Sequence, residues 1–570
     1  MKMPAMKTLA MKNPAMKIMP EISGKHFAWL IFVFAVIWFG TLEYRKLVKP
    51  DEGRYAEIAR EMAVSGDWVT PRLNDLKYFE KPPLQYWATA TAYQLFGEYH
   101  WTSRLWPALT GFAGIFLVWL VGSRLFGREA GQYAALLLGS STLYALIAHI
   151  NTLDMGVTFF ITLAIAGLLL GQTETDRNKQ RNWMLLGWTG MALAVLSKGL
   201  MGVVLPGAAV FIYCILQRDF SVLKRMCWLP GVAVFLLIAA PWFYLVMKAN
   251  PEFFGRFFIY EHFTRFTTKE ADRYEPWYYF IPILLSGMLP WTVLMLDTVL
   301  RTWKNSARNN RAFNPERFLL IWVVFVFIFF SVSGSKLSSY ILPMFPALAL
   351  LMGKRIAEIR ERVLLWQIAP VLVLVALSPG LLPGVMQRTE SPLRLAMYEN
   401  YLVWMIVAIA IWVCGLIAGM VWLKRGSKRV AVLALALSSL LAAQIGLSGH
   451  DTLAQSRSTY HIAQAMRPFL KSAEGGNSPP IYSVANYEHG LSFYLQRTFT
   501  LVQYQDEMGF GIKQEPQRWI PDIASFAKVW EKQPTALAIM PLHLYPQLQQ
   551  LGLAMKTIFA DSEYIVVSKP

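Results

Sequence analysis

The chain has 570 residues, 55% of them hydrophobic and 14% aromatic, with a mean hydropathy of +0.37. That composition excludes a soluble globular protein, and apolar runs of about 20 residues, the length that crosses a bilayer, recur along it. The formal charge of +18 would suggest nucleic acid in a soluble chain. Here the cations sit mostly in short connections between apolar runs, so they read as topology signals and no nucleic-acid partner is expected.

Residues 1–25 are rich in Lys and Met and read as a basic arm ahead of a signal-anchor, with no small-residue cleavage site after the apolar core. Apolar spans follow near 27–44, 105–124, 129–148, 155–171, 184–198, 202–217, 228–247, 279–300, 317–333, 338–352, 364–383, 401–423 and 430–448. With the basic arm in the cytoplasm and sides alternating, the inside connections hold Arg124/Arg128, Arg177/Lys179/Arg181, Arg218/Lys224/Arg225, Arg301 to Arg317, Lys354 to Arg362 and Lys424 to Arg429. Each is basic, as the positive-inside rule asks. The opposite connections are 45–104, 149–154, 198–201, 248–278, 334–337, 384–400 and the tail from 449. A membrane domain of thirteen helices over 26–448 is therefore expected. The cysteines Cys214, Cys227 and Cys414 fall in or beside apolar segments, with neither metal-ligand spacing nor a disulfide framework.

The first outside connection holds a stretch unlike its surroundings: Lys49-Pro-Asp-Glu-Gly-Arg-Tyr-Ala-Glu-Ile-Ala-Arg-Glu-Met62, continuing to Tyr78-Phe-Glu-Lys-Pro-Pro-Leu84. Asp51 and Glu52 open a helix where the backbone dipole favours negative charge. Tyr55, Ile58 and Met62 fall on one face, with Arg54, Glu57, Arg60 and Glu61 around the rest. This spacing predicts an amphipathic helix lying in a membrane interface, or a capped surface helix.

The other outside connections collect unusual residues too: Asn151-Thr-Leu-Asp154, Lys198-Gly-Leu-Met, Phe257-Phe-Ile-Tyr-Glu-His-Phe-Thr-Arg-Phe266 with Asp272-Arg-Tyr-Glu-Pro-Trp, and Ser333-Gly-Ser-Lys-Leu-Ser-Ser-Tyr340. Ionisable groups near membrane depth are costly and point to function, so clusters converging on one end of a bundle imply a single site. The inventory holds acids (Asp51 with Glu52, and Asp154), cations (Arg54, Lys81, Lys198, Arg265, Lys336), a Glu80–His262 pair and many aromatics. Cations on a lipid-adjacent face suit a phosphate carried by a lipid. The aromatics suit a sugar ring or a polyprenyl groove. The acids suit stabilising positive charge at a sugar carbon or orienting a nucleophile. Glu80 and His262 are either ligands of a divalent metal or a hydrogen-bonded pair. For Lys198, Lys336 and Arg265 the bland alternative is a long cation snorkelling at a helix end, and for Asp154 a helix N-cap. A lipid flippase or transporter would instead place polar groups and broken helices through the depth of the bundle.

From about 449 the composition changes. Strand-like runs at Ile481-Tyr-Ser-Val, Thr498-Phe-Thr-Leu-Val, Ala536-Leu-Ala-Ile-Met and Tyr564-Ile-Val-Val alternate with helix-like stretches at Ile523 to Trp530 and Tyr545 to Leu551. A small α/β domain over 449–570 is expected on the outer side, carrying no catalytic motif.

Three motifs carry a resemblance: Pro50-Asp-Glu-Gly-Arg-Tyr-Ala-Glu-Ile-Ala-Arg-Glu-Met, Tyr78-Phe-Glu-Lys-Pro-Pro and Gly334-Ser-Lys-Leu-Ser-Ser-Tyr-Ile-Leu-Pro. They resemble those of the lipid A aminoarabinose transferases, within the wider GT-C type of membrane glycosyltransferases that includes protein O-mannosyltransferases. The likeness spans roughly residues 25–450. It implies a polytopic α-helical GT-C fold of about thirteen transmembrane helices, with amphipathic juxtamembrane helices and a C-terminal periplasmic domain. It implies transfer of 4-amino-4-deoxy-L-arabinose from undecaprenyl phosphate to lipid A phosphates, with inversion, at the periplasmic face of a bacterial inner membrane. Asp51 and Asp154 match the family's two acids; Lys81 and Arg265 are candidates for the donor phosphate. Lys336 and Tyr340 match the third motif, and Glu80 with His262 resemble a metal pair. Arg54 and Lys198 complete the expected substrate-binding set. No nucleotide cofactor is implied, and the chain is expected to act as a monomer. Lys81 is followed by Pro-Pro-Leu, a form shared with the broader superfamily, so a polyprenyl-phosphate-sugar dependent protein O-glycosyltransferase is the alternative.

Overall fold

The computed structural model describes residues 24–264, 275–305, 313–381, 392–471 and 478–569, with residue 384; the basic arm and Arg265 lie outside these residues. Helices α1 (Gly24–Phe39) and α4 (His100–Phe126) bracket a long loop. That loop holds α2 (Asp51–Ser65), an antiparallel hairpin of β1 (Arg72–Leu73) and β2 (Leu76–Lys77), and α3 (Leu84–Phe96). The bundle continues through α5 (Arg128–Ser140), α6 (Thr142–Ile147), α7 (Asp154–Thr173), α8 (Arg177–Lys198) and α9 (Met201–Gln217). Later helices include Trp228–Ala249, Pro315–Val332, Phe345–Glu358, Glu361–Leu377, Pro392–Lys424 and Lys428–Gly449.

Over the described residues, each apolar range read from the sequence coincides with a helix or with consecutive helices, the first range running past the end of α1. Among the described residues, eight helices are long and apolar enough to cross a membrane unaided, and Phe280–Gly287 with Thr292–Asn305, bent by 111°, forms a broken span or a re-entrant loop. The range near 129–148 is split at Ser141 into α5 and α6, each too short to span alone. Large apolar side chains face outward, with Leu229 86% and Val332 80% exposed, as lipid-facing positions require. The chain is a multi-pass membrane protein. Inside the bundle small residues let helices approach closely: a Cβ on Gly167 of α7 would lie 2.5 Å from the Gly187 nitrogen of α8.

The C-terminal part is an α/β domain built on six strands: β3 (Ile481–Val484), β4 (Thr500–Val502), β5 (Trp519–Ile520), β6 (Leu537–Pro541), β7 (Lys556–Ala560) and β8 (Tyr564–Ser568). Their order is β5-β4-β3-β6-β8-β7; the first four run parallel, and β8 is antiparallel to both neighbours. The expected strands form. The two unforeseen ones have weak signatures, since β5 has only two residues and β7 has no fully buried position.

This domain does not stand apart from the membrane loop. Leu47, Ala56, Ile58 and Tyr86 of the loop share one apolar core with Leu491, Phe493, Leu501 and Ile539 of the domain. The helix read as an interfacial one does form, but every residue from Glu52 to Met62 is buried. The C-terminal domain covers what would have been its water-facing side, and part of the charge there is neutralised internally. Arg60 donates to both Glu57 oxygens at 2.7 Å.

Candidate functional site

The position of α2 is set by Glu52. Its carboxylate accepts from Arg104 Nε at 2.7 Å and Nη2 at 2.9 Å, from Arg45 Nη1 at 3.1 Å, and from the backbone nitrogens of Val48 at 2.9 Å and Asn151 at 3.0 Å. Burial alone would raise the Glu52 pKa; the Arg104 and Arg45 charges overcome this and hold it well below the usual carboxylate range. Arg104 also donates to the carbonyls of Leu42, Arg45 and Lys46. This clamp joins α4, the chain after α1, the start of α2 and the turn before α7. Glu52 is thus a structural group, which corrects the reading that pairs it with Asp51 as a site acid.

Asp51, one residue earlier, faces elsewhere. Its side chain is 35% exposed and meets Arg54 Nη1 at 3.2 Å. Arg54 is buried and also pairs through Nη2 with Glu507 of the C-terminal domain at 2.8 Å. Glu507 in turn accepts a hydrogen bond from His489. Burial works against ionising Glu507, but the His489 hydrogen bond and the charges of His489 and Arg54 bring its pKa below the ordinary value. Tyr55, Tyr78 and Tyr86 surround Arg54; burial pushes all three phenols up, so they stay neutral. The charge of Glu80 acts on the same three rings, which places it beside this cluster. The buried Arg54 Nε and the hydroxyls of Tyr78 and Tyr86 have no hydrogen-bond partner among the described residues, so they can serve a polar ligand.

A second acid–cation pair adjoins the first. Asp154 is the first residue of α7 and Lys198 the last of α8, and the α7–α8 hairpin brings them into a hydrogen-bonded ion pair. The Lys198 ammonium lies 4.7 Å from the Tyr340 ring centroid, and the charge of Asp51 reaches it. The N-cap position of α7 is Leu153 and Asp154 is the first helical residue, while Lys198, at the end of α8, turns to Asp154 and does not snorkel toward water.

The remaining expected residues are distributed around this centre. Lys81 donates to the Glu80 carbonyl at 3.0 Å and lies 3.8 Å from Glu261, which also pairs with Arg256 at 3.1 Å. Lys336 is buried and donates to the Ser333 carbonyl at 2.7 Å and that of Glu275 at 2.8 Å, fastening its own connection. Arg265 and the side chain of His262 lie outside the described residues. Among the described residues no group of three or more His, Cys, Asp or Glu could hold a metal, and Glu80 is the one member of the expected pair whose side chain is placed.

The structure thus gathers Asp51, Arg54, Asp154, Lys198, Tyr340 and Glu80 at one end of the bundle. It adds Glu507, His489 and the three tyrosines. Tyr55 and Tyr78 stand in the two loop motifs and Tyr86 just after the second, all legible as aromatics; Glu507 and His489 stand in no recognisable motif, about 440 to 455 residues after Asp51.

Comparisons with known proteins agree with this architecture. The family model described as aminoarabinose transferase C-terminal domain matches residues 462–569, and that of dolichyl-phosphate-mannose-protein mannosyltransferase matches 80–245. The chain is 34% identical over 346 residues to undecaprenyl phosphate-alpha-4-amino-4-deoxy-L-arabinose arabinosyl transferase 1 of Proteus mirabilis (strain HI4320), covering 59% of this chain and 61% of that protein. It is 32% identical over 382 residues to the arabinosyl transferase of Serratia proteamaculans (strain 568), covering 64% of this chain and 68% of that protein. The aligned segments therefore span about three fifths to two thirds of these relatives. In three dimensions the chain matches crystal structures of ArnT from Cupriavidus metallidurans. The form bound to undecaprenyl phosphate aligns with a TM-score of 0.90 at 36% identity, covering 96% of this chain and 98% of that one. The apo form aligns with a TM-score of 0.89 at 35% identity, covering 96% and 99%.

Proposed function

Because the chain belongs to the undecaprenyl phosphate–aminoarabinose arabinosyltransferase family, we propose that it transfers 4-amino-4-deoxy-L-arabinose from undecaprenyl phosphate to lipid A phosphate groups, with inversion at the sugar carbon. The observation that carries this reading is the meeting of two acids, Asp51 and Asp154, each paired with its own cation, at one end of the bundle. The undecaprenyl phosphate held by the Cupriavidus relative supports the donor class.

In the reaction the bond between the sugar carbon and the donor phosphate oxygen breaks, its electron pair leaving with undecaprenyl phosphate, as an acceptor phosphate oxygen bonds to the opposite face. The leaving group is a stable anion, so it needs electrostatic stabilisation more than a general acid, and Lys81 with Arg265 supplies it. A phosphomonoester acceptor, with a second pKa of about 6, is already largely ionised at neutral pH and needs no strong base. Asp51 and Asp154 then stabilise the positive charge that develops at the sugar ring or hold its ammonium, while Arg54, Lys198 and Tyr340 orient them. Lys336 secures the connection that carries Tyr340. A divalent cation held by Glu80 and His262 would add charge against the donor phosphate; transfer that resists chelators would remove this role. The site faces the periplasm of a bacterial inner membrane, with the N-terminus cytoplasmic. One chain holds the whole site and acts as a monomer. Each added aminopentose lowers the negative charge of lipid A and with it the binding of polymyxin and other cationic peptides.

The match of residues 80–245 to the mannosyltransferase model favours a second reading, transfer to a protein hydroxyl, in which Asp51 would act as general base. Lipid A mass spectrometry separates the two. In a transferase-null Gram-negative strain that makes the lipid-linked donor, the wild-type chain should add an aminopentose to lipid A, and Asp51→Ala or Asp154→Ala should not. Unmodified lipid A despite membrane-inserted protein would discard the lipid A acceptor and direct the search to glycosylated envelope proteins.

A further inference from the structure

The parallel part of the C-terminal sheet, β5-β4-β3-β6, reverses its strand order beside β3. In open sheets of this kind ligands bind outside the carboxyl ends of the strands at that point. Here the segment after β3 carries His489 and the segment after β4 carries Glu507, and both meet the first turn of α2 instead. The approach is backbone on backbone: a Cβ on Gly53 would lie 2.6 Å from both Cα and N of Gly490, itself at φ +90°. This explains a glycine inside the helix, where it otherwise costs about 1 kcal/mol relative to Ala.

We propose that His489 is a positioning residue for Asp51, acting from the C-terminal domain through Glu507 and Arg54; the inference rests on the transferase reading above. The groups form one line of donors and acceptors: His489 to Glu507, Glu507 to Arg54 Nη2 at 2.8 Å, and Arg54 Nη1 to Asp51 at 3.2 Å. An ionised carboxylate only accepts, so His489 must carry its proton on Nε2 toward Glu507. The ring is held by edge contact with Tyr487, their centroids 5.1 Å apart. A guanidinium is a rigid planar fork, so anchoring one nitrogen aims the other. With Glu507 oriented by His489, Arg54 points at Asp51 and sets where the acid stands against the sugar. Without His489 the Glu507 carboxylate can rotate, and the fork loses its reference.

The test uses purified full-length protein with the lipid-linked aminoarabinose donor and lipid A, comparing wild type, His489→Ala and His489→Gln by kcat, donor KM and melting temperature. His489→Ala should lower kcat by about 10- to 100-fold with little change in donor KM, as displacement of a supporting group does. His489→Gln, whose amide can donate to the same carboxylate, should recover most of that loss. A wild-type kcat in His489→Ala would overturn the inference. So would a Gln variant that regains melting temperature but not turnover, since that marks a role in stability alone. If the wild type transfers no aminoarabinose, the transferase reading fails first and the inference falls with it.

Discussion

Glu52 is 1% exposed and accepts five hydrogen bonds, whereas Asp51, its neighbour, is 35% exposed and meets one cation among the described residues. The two carboxylates share their chemistry and their helix, yet one is spent on architecture and the other is left with capacity for a ligand. Successive residues on a helix point about 100° apart, so the first turn of α2 can turn Glu52 into the bundle and Asp51 toward Arg54 and Lys198. Saturated pairing marks Glu52 as a structural acid, and the partial pairing of Asp51 fits the role proposed for it at the sugar.

The largest effect that can break this comparison is on folding. Glu52→Gln leaves Arg45 and Arg104 as uncompensated buried charges, which costs about 3–5 kcal/mol. The variant should melt far below wild type in detergent, or fail to accumulate. Asp51→Asn comes next: its melting temperature should stay close to wild type while transfer falls by about 10²-fold or more, the usual loss for a group that stabilises developing charge. Gly53→Ala should cost a net of about 0–2 kcal/mol, the overpacking penalty against Gly490 less the helix propensity gained, read as a lower melting temperature. The smallest effect is on pH dependence. Glu52 and Glu507 both have folded pKa values below the ordinary carboxylate value, so the stability they add is present at neutral pH and is lost as pH falls below that range. Melting temperature should therefore decline on acidification through the ordinary carboxylate range and below, and Glu507→Gln should make the decline shallower.

Much of this is legible in the sequence. Hydropathy summed over 20 residues is a strong signal, so each expected span falls on helix, and the residues 51–65 form the helix their spacing announces. The acids Asp51 and Asp154 and the cations Arg54 and Lys198 are also readable, because ionisable groups near membrane depth are costly and point to function. The burial of α2 is not readable, since what covers it arrives some 430 residues later and leaves no trace in local periodicity. For the same reason Glu507 and His489 are invisible: their roles depend on the carboxyl ends of β3 and β4 facing the loop. The division of labour between Asp51 and Glu52 depends on Arg104, which from sequence is only a cation near the start of a span. In the C-terminal domain the missed strands are the shortest one and one with no fully buried residue, where alternation has little to show.

The most direct test of the central claim is transfer by purified protein in liposomes containing the undecaprenyl phosphate–aminoarabinose donor and lipid A, with Asp51→Asn measured beside wild type at equal folded protein. The account predicts an aminopentose on lipid A with wild type, and a rate lower by about 10²-fold or more with the variant at an unchanged melting temperature. Wild-type turnover in Asp51→Asn, or no sugar reaching lipid A from folded wild-type protein, would contradict it.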